Sequence, residues 1–134
     1  MINNKNQFKN ALKEGKIKEI KRVYNLDEVN KINVGEVATI EQVQSNAFTL
    51  RWSSLDKPTW TYFDNIEVKD NKYMYYGYID DFDMNKAEML KEHYENLGVE
   101  VLDVSDDDKI NKNRCSNYKY IYKFVTMINE IIEK

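Results

Sequence analysis

From Val37 onward the chain alternates. Val37, Thr39, Glu41 and Val43 fall on one face of an extended segment, and Ala38, Ile40, Gln42 and Gln44 on the other. After Ser45 and Asn46 the alternation resumes, with Phe48, Leu50 and Trp52 separated by Ala47, Thr49 and Arg51. Two period-two runs rich in β-branched and aromatic residues, split by a Ser-Asn pair, predict a β-hairpin. The pair has a turn mechanism, since asparagine tolerates positive φ and serine bonds its own backbone. A second break at residues 53–58 leads into Thr59-Trp60-Thr61-Tyr62-Phe63, a third short strand. Trp52 or Trp60 is expected to be buried between sheet and helix.

The flanking segments extend this sheet and then change period. Phe8, Ala11 and Leu12 share a helical face and Gly15 follows them, which predicts a short helix within residues 1–15. Residues 16–24, KIKEIKRVY, read as a basic, exposed strand, and residues 25–33 as a turn or a single helical turn. Ile66-Glu67-Val68, a turn at Asp70-Asn71 and residues 73–79 supply further strands. Five or six short strands between Lys16 and Ile79 predict a small barrel or a strongly curled antiparallel sheet. Beyond Asp80, Asp83 is placed as the N-cap of a helix running to about Asn96. Ala87, Leu90, Tyr94 and Leu97 form its expected buried stripe, and Gly98 its stop. Residues 99–104 alternate as a strand. Tyr118, Ile121, Val125, Ile128 and Ile132 then repeat at helical spacing, which predicts a last helix over residues 116–133. The expected fold class is α+β: one compact unit over residues 1–134, with a β-rich part at 16–79 and a strand–helix–strand–helix extension at 80–134.

The run Gly35-Glu36-Val37-Ala38-Thr39-Ile40, followed by Val43-Gln44-Ser45-Asn46-Ala47-Phe48 and later by Thr59-Trp60-Thr61-Tyr62, resembles small SH3-like proteins of bacteriophages. In those proteins a strand ends in a Ser-Asn turn and a tryptophan closes the barrel. The similarity covers about a third of the chain and consists of structural motifs. It implies an SH3-like barrel and a phage or mobile-element setting in a Gram-positive-like host, and it assigns no functional residues.

Composition narrows the class. Apolar residues make up 42% and charged residues 32%, the balance of a folded rather than a disordered chain. The apolar runs are far too short to span a membrane, and the first residues carry no signal core, so the cytoplasm of the host is the expected location. A single cysteine, Cys115, excludes an internal disulfide. The net charge of −3 hides a segregation: residues 1–24 carry 7 basic and 2 acidic side chains, residues 64–108 carry 4 and 14, and residues 109–134 carry 6 and 2. Two basic ends flank an acidic middle.

Candidate chemistry is sparse. Asp81-Phe82-Asp83-Met84-Asn85 with Glu92 outlines a calcium loop, but Lys86 stands where the loop needs glycine and the segment reads as a helix start. No metal and no cofactor is therefore expected. His93 and Cys115 could form a thiol–imidazole pair, yet nothing supplies an orienting group or oxyanion donors. Ten tyrosines exceed what a small core requires; Tyr73 and Tyr75 share one strand face, and Tyr76 and Tyr78 the other. These features predict a non-enzymatic phage or mobile-element protein that binds and inhibits a host protein, such as a nuclease of a defence system, in the manner of an anti-CRISPR protein. Its expected contact residues are Tyr76 and Tyr78 as anchors, with Asp80, Asp81, Asp83, Asp106, Asp107 and Asp108 meeting a basic surface. The alternative is a nucleic-acid-binding module that uses Lys16, Lys18, Lys21 and Arg22.

Overall fold

The computed structural model describes residues 1–26, 31–81, 83–107 and 120–133. Its elements are α1 (Lys5–Lys13), β1 (Ile17–Asn25), β2 (Val37–Val43), β3 (Ala47–Trp52), β4 (Thr59–Tyr62), β5 (Ile66–Lys69), β6 (Lys72–Asp81), α2 (Met84–Asn96), β7 (Val101–Asp103) and β8 (Tyr120–Glu133), with one 3-10 turn at Phe63–Asn65. The chain divides into two compact units. The first comprises Met1–Tyr75 with Thr126–Lys134, and the second Tyr76–Val125. Both β6 and β8 contribute residues to each unit. Sheet dominates, with α1 and α2 the two helices among the described residues.

The first unit is a curled antiparallel half-barrel with strand order β4-β3-β2-β1-β8-β6-β5. Register follows the alternation seen in the sequence, with Ala38 opposite Trp52 and Ile40 opposite Leu50. Ala38, Phe48, Leu50 and Trp52 are accordingly buried. The turn from β5 to β6 uses Asp70 and Asn71, both at positive φ (53° and 59°), as a two-residue hairpin turn of the kind that matches strand twist. The same turn ties down the N-terminus: Ile2 N–H donates to Asn71 Oδ1 at 2.6 Å, and Asn71 N–H donates to the Ile2 carbonyl at 2.8 Å.

Helix α1 forms because Asn4 caps it, accepting from the Gln7 N–H at 2.9 Å, and Gly15 ends it at φ 71°. Phe8 and Leu12, one turn apart, are its buried face. Phe8 packs edge-on against Phe48 at 5.4 Å and stacks with Tyr73 at 5.6 Å, while Phe48 and Phe63 lie 5.4 Å apart. Each fully buried ring of this cluster contributes about 1.5–3 kcal/mol. It holds a helix that is too short to persist alone.

The C-terminal segment departs from expectation. The helix placed at residues 116–133 is strand β8 over Tyr120–Glu133, paired antiparallel with β1; residues 116–119 lie outside the described residues. Two physical reasons account for the change. The segment YIYKFVTMINEIIE is dense in Ile, Val, Thr and aromatics, which lose rotamer freedom in a helix and pack well on a pleated surface. β8 also lies inside the sheet, between β1 and β6, and is half-buried along most of its length. Its apolar residues fall on both faces instead of alternating, so a helical period can be traced through it.

In the second unit, Asp83 caps α2, accepting from the Asn85 N–H at 2.9 Å, and Gly98 ends it at φ 85°. The expected apolar stripe is only partly realised. Ala87 is buried and Tyr94 stacks on Phe124 at 4.1 Å, but Leu90 and Leu97 are each 44% exposed. The helix is rotated so that Glu88 and Lys91 face β8. Glu88 accepts from the Tyr122 hydroxyl at 2.9 Å, and the Lys91 ammonium lies 5.6 Å from the centre of the Tyr122 ring. Burial, reinforced by the Glu88 carboxylate, pushes the Tyr122 hydroxyl up to about 12. β7 pairs with the first half of β8, Val101 opposite Phe124.

Candidate binding surfaces

Strand β4 ends the sheet order, so it is an edge strand hydrogen-bonded along its β3 side. Its register sets Trp60 opposite Thr49 and Tyr62 opposite Ala47. Thr49 and Ala47 are buried, whereas Trp60 and Tyr62 are each 47% exposed. The two rings stand two residues apart on one face and stack, with centres 6.5 Å apart and planes 23° apart. Nearby on β3, Arg51 pairs with Glu41 at 3.1 Å, both groups in water. The outer face of this edge is therefore an aromatic ledge bordered by a neutralised ion pair. Of Trp52 and Trp60, either of which the sequence allows in the core, Trp52 is the buried one. The six-residue connection at 53–58 fixes which parity of β4 faces inward, and the alternation alone does not reveal that.

The acidic and tyrosine candidates fall in the second unit. Tyr76 is half-buried with the Lys123 ammonium 4.3 Å from its ring centre, and Tyr78 is 38% exposed. Asp83 serves as the α2 cap, and Asp106 and Asp107 are exposed in the turn after β7, where Asp107 N–H donates to the Val104 carbonyl at 3.1 Å. The side chains of Asp80 and Asp81, and all of Asp108, lie outside the described residues. The described candidates thus sit on three separate elements. No group of His, Cys, Asp or Glu among the described residues is gathered closely enough to hold a metal. Because Met84 already begins the helix, Asn85 and Lys86 are helical and cannot belong to a calcium loop.

The basic candidates separate by face. Lys16 pairs with Glu14 at 2.8 Å in solvent. Lys18 lines a shallow groove shared with Glu19 and Glu41, and Lys21 is exposed. Arg22 departs from the expected basic face: it is only 4% exposed. Alternation places it on the inward face with Ile20, where the guanidinium lies 5.1 Å from the centre of the Trp52 ring. There its Nε donates to Asn129 Oδ1 and its Nη1 to Asn25 Oδ1. Asn129 is 107 residues away along the chain, so no local signal in the sequence could have identified the pair. His93 is exposed with its ring 5.3 Å from Tyr94, and Cys115 lies outside the described residues.

No helix among the described residues is long and apolar enough to cross a membrane. No family model matches the chain, and no curated protein or solved structure matches it.

Proposed function

We propose that the chain is a non-enzymatic protein-binding module that docks its partner on the Trp60–Tyr62 ledge of β4. The observation that carries this reading is the stacked, 47%-exposed aromatic pair on an edge strand. Tryptophan and tyrosine are the residues most enriched among interface anchors, because they bury a large area for little lost side-chain freedom. An edge strand adds backbone donors and acceptors that an extended partner segment can pair with.

The partner is a host protein with a basic surface, such as a nuclease of a defence system, and binding inhibits it in the manner of an anti-CRISPR protein. The exposed carboxylates of Asp83, Asp106 and Asp107 support that charge preference, since they suit a channel that otherwise holds phosphates. The phage resemblance of the hairpin supports the setting. Nucleic acid is the less favoured partner, because Lys16 and Lys18 have carboxylates beside them and Arg22 faces inward.

Affinity capture from a host extract, with and without prior nuclease digestion, tests the reading. A protein retained after digestion by the native chain, and lost by a Trp60→Ala/Tyr62→Ala variant that remains folded, is the expected result. Capture of nucleic acid alone, abolished when Lys18 and Lys21 are neutralised, would place function on the basic strand instead.

A further inference from the structure

The register of β4 fixes which of its backbone groups face outward. Phe63 N–H donates to the Asn46 carbonyl at 3.0 Å, and that pair continues the register in which Thr61 faces Phe48 and Thr59 faces Leu50. In an antiparallel ladder, residues that exchange both hydrogen bonds with one neighbour alternate with residues whose N–H and C=O point the other way. Thr59, Thr61 and Phe63 therefore bond toward β3, while Trp60 and Tyr62 turn their N–H and C=O groups to the free edge. No strand among the described residues pairs with that side of β4. The edge thus presents two donors and two acceptors, on the same two residues that carry the exposed, stacked rings.

Natural edge strands are blunted with charges, proline, bulges or cover. Thr59–Tyr62 contains no charge and no proline, and its register with β3 runs without a shift. Pro58, which has no N–H, and the 3-10 turn at Phe63–Asn65 mark its two ends. They confine pairing to the four residues of β4 without preventing it.

A second β4 matches this edge in one antiparallel register. With Thr61 on a two-fold axis, Trp60 of each copy faces Tyr62 of the other. Each such pair exchanges both hydrogen bonds, so all four outward groups of each copy are satisfied. Moving the axis to Trp60 sets Tyr62 against Pro58, which cannot donate. Moving it to Tyr62 sets Trp60 against Asp64, inside the 3-10 turn. In the register about Thr61 the four rings share one face, and aromatic pairs directly opposite one another stabilise a sheet. Charge does not oppose the approach. Asp56 and Lys57 precede β4 and Asp64 follows it, all exposed, so each end sets one attraction against one repulsion.

We propose that the chain forms a two-fold dimer in which β4 pairs antiparallel with β4 of a second copy, Trp60 opposite Tyr62 on each side of Thr61. A fully covered aromatic side chain buries about 150–250 Å², so four half-exposed rings offer about 300–500 Å². Stable interfaces bury about 1,200–2,000 Å². The dimer is accordingly weak, with a dissociation constant of about 0.1–1 mM. It covers the rings of the ledge, so it competes with a host protein for the same edge. The pairing itself rests on the register of β4 and not on that host protein.

Sedimentation velocity on the full chain alone, from about 10 µM to about 1 mM, tests the pairing, together with amide hydrogen exchange at both ends of that range. Monomer–dimer exchange that shifts toward dimer with concentration is expected. At the high end the Trp60 and Tyr62 amides should exchange at least about twofold more slowly, the factor for a half-paired population. The Thr59 and Thr61 amides, already bonded to β3, should not change. Trp60→Lys/Tyr62→Lys sets like charges opposite one another in this register and should stay monomeric while folded. If that variant does not fold, the exchange of the native chain decides. No host protein is present, so the result is separate from the capture experiment. The proposal is overturned if the native chain is monomeric at about 1 mM, if it dimerises without slowing the Trp60 and Tyr62 amides, or if the folded lysine variant dimerises unchanged.

Discussion

Trp52 and Trp60 sit on neighbouring strands but on opposite faces of the sheet, the first 1% exposed and the second 47%. Trp52 is closed in by Leu50, by Arg22 and by its own hydrogen bond to Thr59. Substituting Trp52 by Ala should therefore cost about 3–5 kcal/mol of folding stability. Trp60→Ala should cost under about 1 kcal/mol, in the range of surface changes. Urea denaturation of the two variants measures both. Equal losses would mean that β4 is turned the other way.

Arg22 and Asn129 form a buried pair, with the guanidinium Nε donating to Asn129 Oδ1. Asn129→Leu leaves a buried guanidinium without its Nε acceptor, and hydrogen bonds to charged groups are worth about 1.5–3 kcal/mol. Arg22→Met removes the charge together with the need to solvate it, and should cost less than Asn129→Leu. The two single variants and the double variant, compared by denaturant unfolding, give the coupling directly. A double variant that loses the sum of the two singles would show that the pair is not coupled.

The elements up to the end of α2 were legible because their signals are local. The alternation at Ala38, Ile40, Phe48, Leu50 and Trp52, the Asp70-Asn71 turn, the cap at Asp83 and the glycines after each helix all act within a few residues. β8 was not legible, because its apolar residues fall on both faces of the strand and leave no period of two. The stripe of α2 was misplaced by about one residue, because Tyr122 on another element draws Glu88 and Lys91 inward. The aromatic ledge and the burial of Arg22 were missed for the same reason: both depend on which strand lies beside which. A far-UV spectrum dominated by sheet, with helix confined to α1 and α2, is the expected check on β8. Strong helical minima would restore the C-terminal helix.

Tyr122 gives the second unit a dependence on alkaline pH. Its folded pKa lies at about 12, above the ordinary 10.0. The neutral phenol is thus the form that the fold favours. Its contribution is fully present below pH 10.0 and is lost as the pH rises through about 12. The stability difference between the native protein and Tyr122→Phe should shrink across that window, as followed by chemical denaturation at a series of pH values. A difference that is flat with pH would show that the hydroxyl is not held by burial and Glu88.

The exposed carboxylates should act on approach rather than on retention. Replacing Asp106 and Asp107 by Asn, with Asp83→Asn as a separate variant because it also removes a helix cap, should slow association with a basic partner and flatten its salt dependence. Surface ion pairs are individually worth about 0–1 kcal/mol, so the dissociation rate should change little. Association kinetics at low and moderate ionic strength make the comparison. Unchanged rates and salt slopes in every variant would remove the acidic residues from the interface.

The central claim is that Trp60 and Tyr62 anchor a protein partner, and the dissociation rate of the captured partner tests it most directly. Surface plasmon resonance with the native chain and the Trp60→Ala/Tyr62→Ala variant should show dissociation faster by about thirtyfold or more, matching the loss of at least about 2 kcal/mol at an interface anchor. The melting temperature should stay close to that of the native chain. A partner that leaves both proteins at the same rate, with both fully folded, would contradict the account.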